Sequence, residues 1–114
     1  MIATTYRQYK IIRETVNIYG DKQYMVAVEE MAELMQAISK YLRIDKSGCD
    51  DLPQIQKEAI NNITVEMADV YVMLEQLQRM LNIKNEDIHA VINKKLNRQF
   101  ERNRQARLRG LKSD

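Results

Sequence analysis

Apolar residues recur at helical spacing through four segments of the chain, and short polar breaks separate them. Thr5, Tyr9, Ile12, Val16 and Tyr19 keep a three- to four-residue period from about Thr4, and Gly20 then offers the left-handed position that ends many helices. A second helix is predicted from near Lys22 or Gln23 to about Ile44, capped by Asp21, with Val28, Met31, Met35, Ile38 and Leu42 at core-facing spacing. The run from Asp45 to Pro53 has the Gly, Ser, Asp and Pro content of a loop, and Pro53 suits the first turn of the helix that follows. That third helix is predicted to reach Leu81 with Ile63, Met67, Val70, Leu74, Leu77 and Leu81 facing the core. Asn61, Asn62 and Thr64 are weak helix formers and mark a candidate bend within it. The stretch from Asn82 to Asn85 breaks the pattern, Asn85 is the expected cap, and a fourth helix carries Ile88, Val91, Ile92, Leu96 and Phe100.

The pattern predicts an all-α, four-helix bundle-like fold. A chain of 114 residues makes one domain whose modest core favours association, so an oligomer is expected. We expect the domain to span residues 1–100 and the nearly all-polar residues 101–114 to form a basic tail. The net charge of only +2 gives no bulk signal of a nucleic-acid binder, but its distribution is uneven. Acids gather from Glu29 to Glu33, whereas Arg98, Arg102, Arg104, Arg107 and Arg109 crowd the C-terminal end.

Cys49 is the only cysteine, which rules out an intramolecular disulfide and a multi-cysteine zinc site within one chain, and fits a reducing compartment. No apolar run approaches the roughly 20 residues of a membrane-spanning helix, and the N-terminal residues lack a signal-peptide core. The expected location is the cytoplasm, with no membrane partner.

The candidate chemistry lies in two acidic pairs. Glu30 and Glu33 follow one another at i, i+3 on the second helix, and Glu66 and Asp69 do the same on the third. One such pair on a charged helix is ordinarily surface decoration. Here both are set among Met, Ala, Val and Leu, and neither has a basic residue at i+4, since Leu34, Ala37, Val70 and Met73 stand there. Four carboxylates near an apolar wall repel one another unless protons or cations neutralise them. The lone histidine, His89, falls in neither pair, so an all-carboxylate set favours Mg2+, with Mn2+ as substitute, over zinc, copper or iron. Magnesium completes its shell with waters and substrate phosphates, which points to a phosphorylated substrate such as a nucleotide. No Gly-rich phosphate loop is present, so basic side chains have to assist, and Lys40, Lys94, Lys95, Arg98 and Arg102 are the candidates. His89 reads as a surface residue and Cys49 as an incidental loop thiol.

Glu29-Glu30-Met31-Ala32-Glu33 followed by Glu66-Met67-Ala68-Asp69 resembles the bipartite signature of the MazG-type all-α nucleoside triphosphate pyrophosphohydrolases. The likeness extends to Glu33-Leu34 with Ala37 and Lys40, to Ala68-Asp69-Val70, and to Lys95-Leu96-Asn97-Arg98, and spans roughly Tyr24 to Arg98. The segment from Leu34 to Val65 is long for the simplest members, a departure that bears on substrate identity more than on metal binding.

The resemblance implies that Glu30, Glu33, Glu66 and Asp69 hold Mg2+ against a triphosphate. A water made acidic by the ion attacks the α-phosphorus and expels pyrophosphate, leaving a nucleoside monophosphate. It further implies that Glu29 orients that water or holds another ion, that Lys40, Lys95 and Arg98 hold phosphate oxygens, and that the enzyme is a homodimer or homotetramer. Tyr6, Tyr9, Tyr24 and Tyr41 are the aromatic candidates for stacking on the base. Two alternatives stand beside this expectation. One keeps the fold and takes dUTP or phosphoribosyl-ATP as substrate; the other is a catalytically silent helical adaptor whose basic tail binds RNA or a protein, although nucleic acid is not the expected partner.

Overall fold

Thr5 starts the first helix. Its hydroxyl accepts from the Gln8 amide at 3.1 Å while its own amide donates to the Gln8 side-chain oxygen at 3.2 Å, so two otherwise orphaned donors are satisfied reciprocally. The helix, α1, runs Tyr6–Tyr19 and stops at Gly20, whose φ of 59° and ψ of −135° no side-chain-bearing residue adopts comfortably. The Gly20 amide donates to the Val16 carbonyl at 2.8 Å, and its carbonyl accepts from Gln23 at 3.0 Å as the next helix begins.

The second helix, α2, runs Lys22–Leu42. Asp21 does not cap it: the residue already has helical backbone angles and its side chain makes no cap hydrogen bond. Only one residue separates Gly20 from the helix, so the turn itself delivers the chain into α2 and leaves no extended position for a cap. The third helix, α3, runs Leu52–Met80 with Pro53 in its first turn. It continues through Asn61, Asn62 and Thr64. The Thr64 hydroxyl donates to the Ile60 carbonyl at 2.8 Å, which satisfies it inside the helix. The fourth helix, α4, runs Asn85–Leu108, with Lys84 in the extended cap position and Asn85 already helical, so it begins one residue earlier than the sequence pattern suggests. All four elements are α-helices, so the fold class is all-α. This computed structural model describes residues 5–47 and 50–110; Cys49 and the chain ends lie outside them.

The chain divides after Asn82 into two units. In the first, α2 and α3 pack as an antiparallel hairpin and α1 lies against both. A buried hydrogen bond of 2.7 Å from the Gln23 carboxamide to that of Gln76 pins the register. Seven residues along α2 and seven back along α3, Glu30 meets Asp69; seven further, Ala37 and Asn62 line one cleft. A step of seven is two helical turns, so the same faces meet repeatedly. The inner seam on α2 is Gln23, Ala27, Glu30, Leu34, Ala37 and Tyr41, each buried or half-buried. Its counterpart on α3 is Ala59, Ile63, Glu66, Val70, Met73, Leu77 and Met80.

On α2 this seam is not the stripe that the apolar pattern singles out, whereas on α3 it keeps Ile63, Val70 and Leu77 of that stripe. Val28, Met35, Ile38 and Leu42 are exposed, Leu42 at 75%, and so are Met67, Leu74 and Leu81 on α3; Met31, Ile63, Val70 and Leu77 are half-buried. The acids therefore sit in the seam between the helices, and much of the apolar surface faces outwards.

In the second unit α4 is bound together by local contacts. Gln99 donates to Asn103 at 2.8 Å, and Glu101 accepts from Arg104 at 3.0 Å and from Gln105 at 3.3 Å. The basic stretch after Phe100 is thus helical as far as Leu108, while Val91, Ile92, Leu96 and Phe100 are exposed.

Candidate metal centre

Two turns of α2 and two of α3 build the site. Glu30 occupies a seam position on α2, Glu66 one on α3, and Asp69 follows Glu66 one turn on, so the register that pairs Gln23 with Gln76 brings all three acids together. One carboxylate oxygen from each of Glu30, Glu66 and Asp69 lies within 4.8 Å of the other two, and all three side chains are half-buried. Glu33, one turn after Glu30, is more exposed but close enough to act electrostatically on both Glu30 and Glu66.

The electrostatics are unfavourable to four bare charges. Burial, then the charges of Glu33, Asp69 and Glu66, push the Glu30 carboxyl above its ordinary range. Burial, then Glu33 and Asp69, do the same to Glu66. One oxygen of each of these two residues, Oε2 in both, is buried without a hydrogen-bond partner. A buried acceptor without a donor is destabilising, the more so when charged, so two of them in one cluster suit a positive ligand.

The donor set fits a hard divalent cation. Oxygens on opposite sides of Mg2+ stand about 4.2 Å apart, twice the roughly 2.1 Å bond, so a small side-chain rotation closes the cluster around an ion. Carboxylates from two helices leave the solvent side for water and an anionic ligand, as magnesium prefers.

Lys40 lies on the same groove: with Glu33, Gln36, Ala37, Ala59, Asn62 and Glu66 it lines a cleft of about 360 Å³ that continues from the acids. Gln36 is one turn beyond Glu33, and Asn62 one turn before Glu66. Neither carboxamide stands out in the sequence, since one turn from an acid is an ordinary place for a polar residue on a helix. Glu29 is exposed on α2 and stands outside the convergent trio. Lys95 and Arg98 are exposed on α4, in the second unit, as is His89. Among the tyrosines, Tyr41 is half-buried in the inner seam, whereas Tyr6, Tyr9 and Tyr24 are exposed.

No helix among the described residues is long and apolar enough to cross a membrane. No family model matches the chain, and neither a curated protein nor a solved structure matches it.

Proposed function

We propose that the protein is a Mg2+-dependent pyrophosphohydrolase of (deoxy)nucleoside triphosphates, of the MazG type that its acidic motifs resemble. The observation that carries this reading is the convergence of Glu30, Glu66 and Asp69 in a helix–helix seam with two buried carboxylate oxygens lacking donors. Glu30, Glu33, Glu66 and Asp69 hold the cation, which supplies charge neutralisation for the triphosphate and acidity for a water. Glu29, exposed one residue before Glu30, orients that water or holds a further ion, and the proton that the water loses passes to solvent. The water oxygen bonds to the α-phosphorus, the bond from that phosphorus to the α–β bridging oxygen breaks, and pyrophosphate leaves with the bonding electrons. Nucleotide-pool housekeeping in the cytoplasm is the role that fits this chemistry and the lone Cys49.

The working form is a homo-oligomer, a dimer or a tetramer, in a bundle-like arrangement of helices. Among the described residues only Ala27, Ala37 and Met73 are buried apolar side chains, too few to hold a helical hairpin by themselves. Met25, Val28, Ala32, Met35, Ser39 and Leu42 form an exposed stripe on α2 with the alternating three- and four-residue spacing of a coiled-coil seam. A second copy offers the same stripe and the same spacing.

Incubating the protein with a panel of nucleoside triphosphates, with Mg2+ or with EDTA, tests the reaction. Monophosphate and pyrophosphate appear only with metal. Release of diphosphate and orthophosphate instead would place the attack on the γ-phosphorus and overturn the mechanism. Glu33→Gln and Asp69→Asn each reduce turnover at least 100-fold while the chain stays helical by circular dichroism.

A further inference from the structure

The cleft beside the acids has a composition that decides what it can hold. Beyond Glu33 and Glu66 its lining is Gln36, Asn62, Lys40, Ala37 and Ala59. It holds no aromatic and no large apolar side chain, so a nucleobase would find nothing to stack on. Its polar groups beyond the acids are two carboxamides, each with two N–H donors, and one ammonium with three. Ala37 and Ala59, one from each helix, are the small side chains in the lining and keep the groove open between them.

The order along the groove is as informative as the composition. Glu33 to Gln36 to Lys40 is a climb of seven residues, about 10.5 Å at 1.5 Å per residue, from the acidic end to the basic end. Asn62 faces this climb from α3, one turn before Glu66. A cation at the acids followed by donors and then a fixed positive charge is a linear gradient suited to an extended polyanion. A triphosphate chain anchored at the cation has the right charge and roughly the right length.

We infer that this cleft is the binding groove for the pyrophosphate portion of the substrate, in which Gln36 and Asn62 hold the β-phosphate oxygens and Lys40 the γ-phosphate. The inference rests on the pyrophosphohydrolase reading and assigns what that reading leaves open: which side chains choose a triphosphate over a diphosphate. The base lies outside the groove, on the other side of the α-phosphorus.

The test is direct binding of inorganic pyrophosphate in the presence of Mn2+, read by titration calorimetry, with Mn2+ binding alone followed by electron paramagnetic resonance. Lys40→Gln and Asn62→Leu each weaken pyrophosphate binding roughly 10- to 100-fold, the loss of a hydrogen bond to a charged group, and leave Mn2+ binding unchanged. Arg43→Gln, which removes the same charge one turn further along outside this cleft, leaves both unchanged. In turnover, Lys40→Gln narrows the preference for triphosphate over diphosphate while the ranking of bases stays as in the wild type. Altered base ranking with unaltered chain-length preference would make the cleft a base pocket and overturn the inference. Mn2+ uptake without pyrophosphate binding by the wild type would also overturn it, and would leave the metal site standing. A wild type that takes up no Mn2+ would remove the enzyme reading itself, and the groove assignment with it.

Discussion

At the scale of single residues, two seam positions carry the same cost. Glu30 and Glu66 stand where a helical hairpin ordinarily places an apolar side chain, and their raised carboxyl pKa values mean that the folded chain binds protons there more tightly than the unfolded chain does. Stability of the metal-free protein attributable to these groups therefore falls as pH rises from the ordinary carboxylate range through the raised values, and is level above them. Thermal melts across that range show this fall in the wild type and a smaller one in Glu66→Gln. At neutral pH Glu66→Gln melts higher than the wild type without metal, because a repelling charge is gone, yet gains little from Mg2+ or Mn2+. The wild type gains more from either cation at pH 7 than below the carboxylate range.

The other polar seam pair is structural. Gln23 and Gln76 satisfy one another in a buried position, so Gln23→Leu alone strands the Gln76 carboxamide and costs about 1–3 kcal/mol in urea unfolding. The double variant with Gln76→Leu recovers most of that loss, since neither partner is then left without the other, but relaxes the hairpin register on which the acidic cluster depends.

At the scale of elements, turn chemistry sets where the helices begin and end. Gly20 holds a backbone conformation available to glycine alone, and open space surrounds its Cα. Gly20→Ala therefore meets no steric neighbour and still destabilises the chain by roughly 1–3 kcal/mol through backbone strain, measured as a fall in the unfolding midpoint at constant slope. Thr5, Gly20 and Pro53 mark ends that follow from local chemistry and stand where the sequence pattern puts them within a residue or two. Asp21 and Asn85 do not act as caps, because each already has helical geometry or lies inside its helix, and capping requires an extended residue just outside. The weak helix formers Asn61, Asn62 and Thr64 fail to break α3, since packing against α2 on both sides of them outweighs propensities of a few tenths of a kcal/mol.

At the scale of the whole molecule, the apolar surface asks for a partner. Met35 and Leu42 are 68% and 75% exposed on the outer stripe of α2, and in a second copy the same stripe stands ready to cover them. On the proposal that this stripe joins two copies, Met35→Lys with Leu42→Lys shifts the sedimentation of the protein to that of a monomer and lowers its melting temperature. An unchanged mass would place the interface elsewhere on the chain.

The sequence by itself determined the helices to within a residue or two at their ends, because hydrophobic period and turn residues are local properties. It also determined the two acidic pairs and their chemical kind, since residue type and i, i+3 spacing survive whatever the helices pack against. Which stripe turns inwards was decided only by the tertiary structure. Both the stripe through Val28 and Met35 and the stripe through Glu30 and Ala37 have helical period, and hydrophobicity alone favours the first as core. The Gln23–Gln76 register selects the second for the contact with α3, moving the acids from the rim into the seam. The cleft next to them was equally invisible in the sequence, because Gln36 and Asn62 are ordinary surface carboxamides until two antiparallel helices set them across from one another.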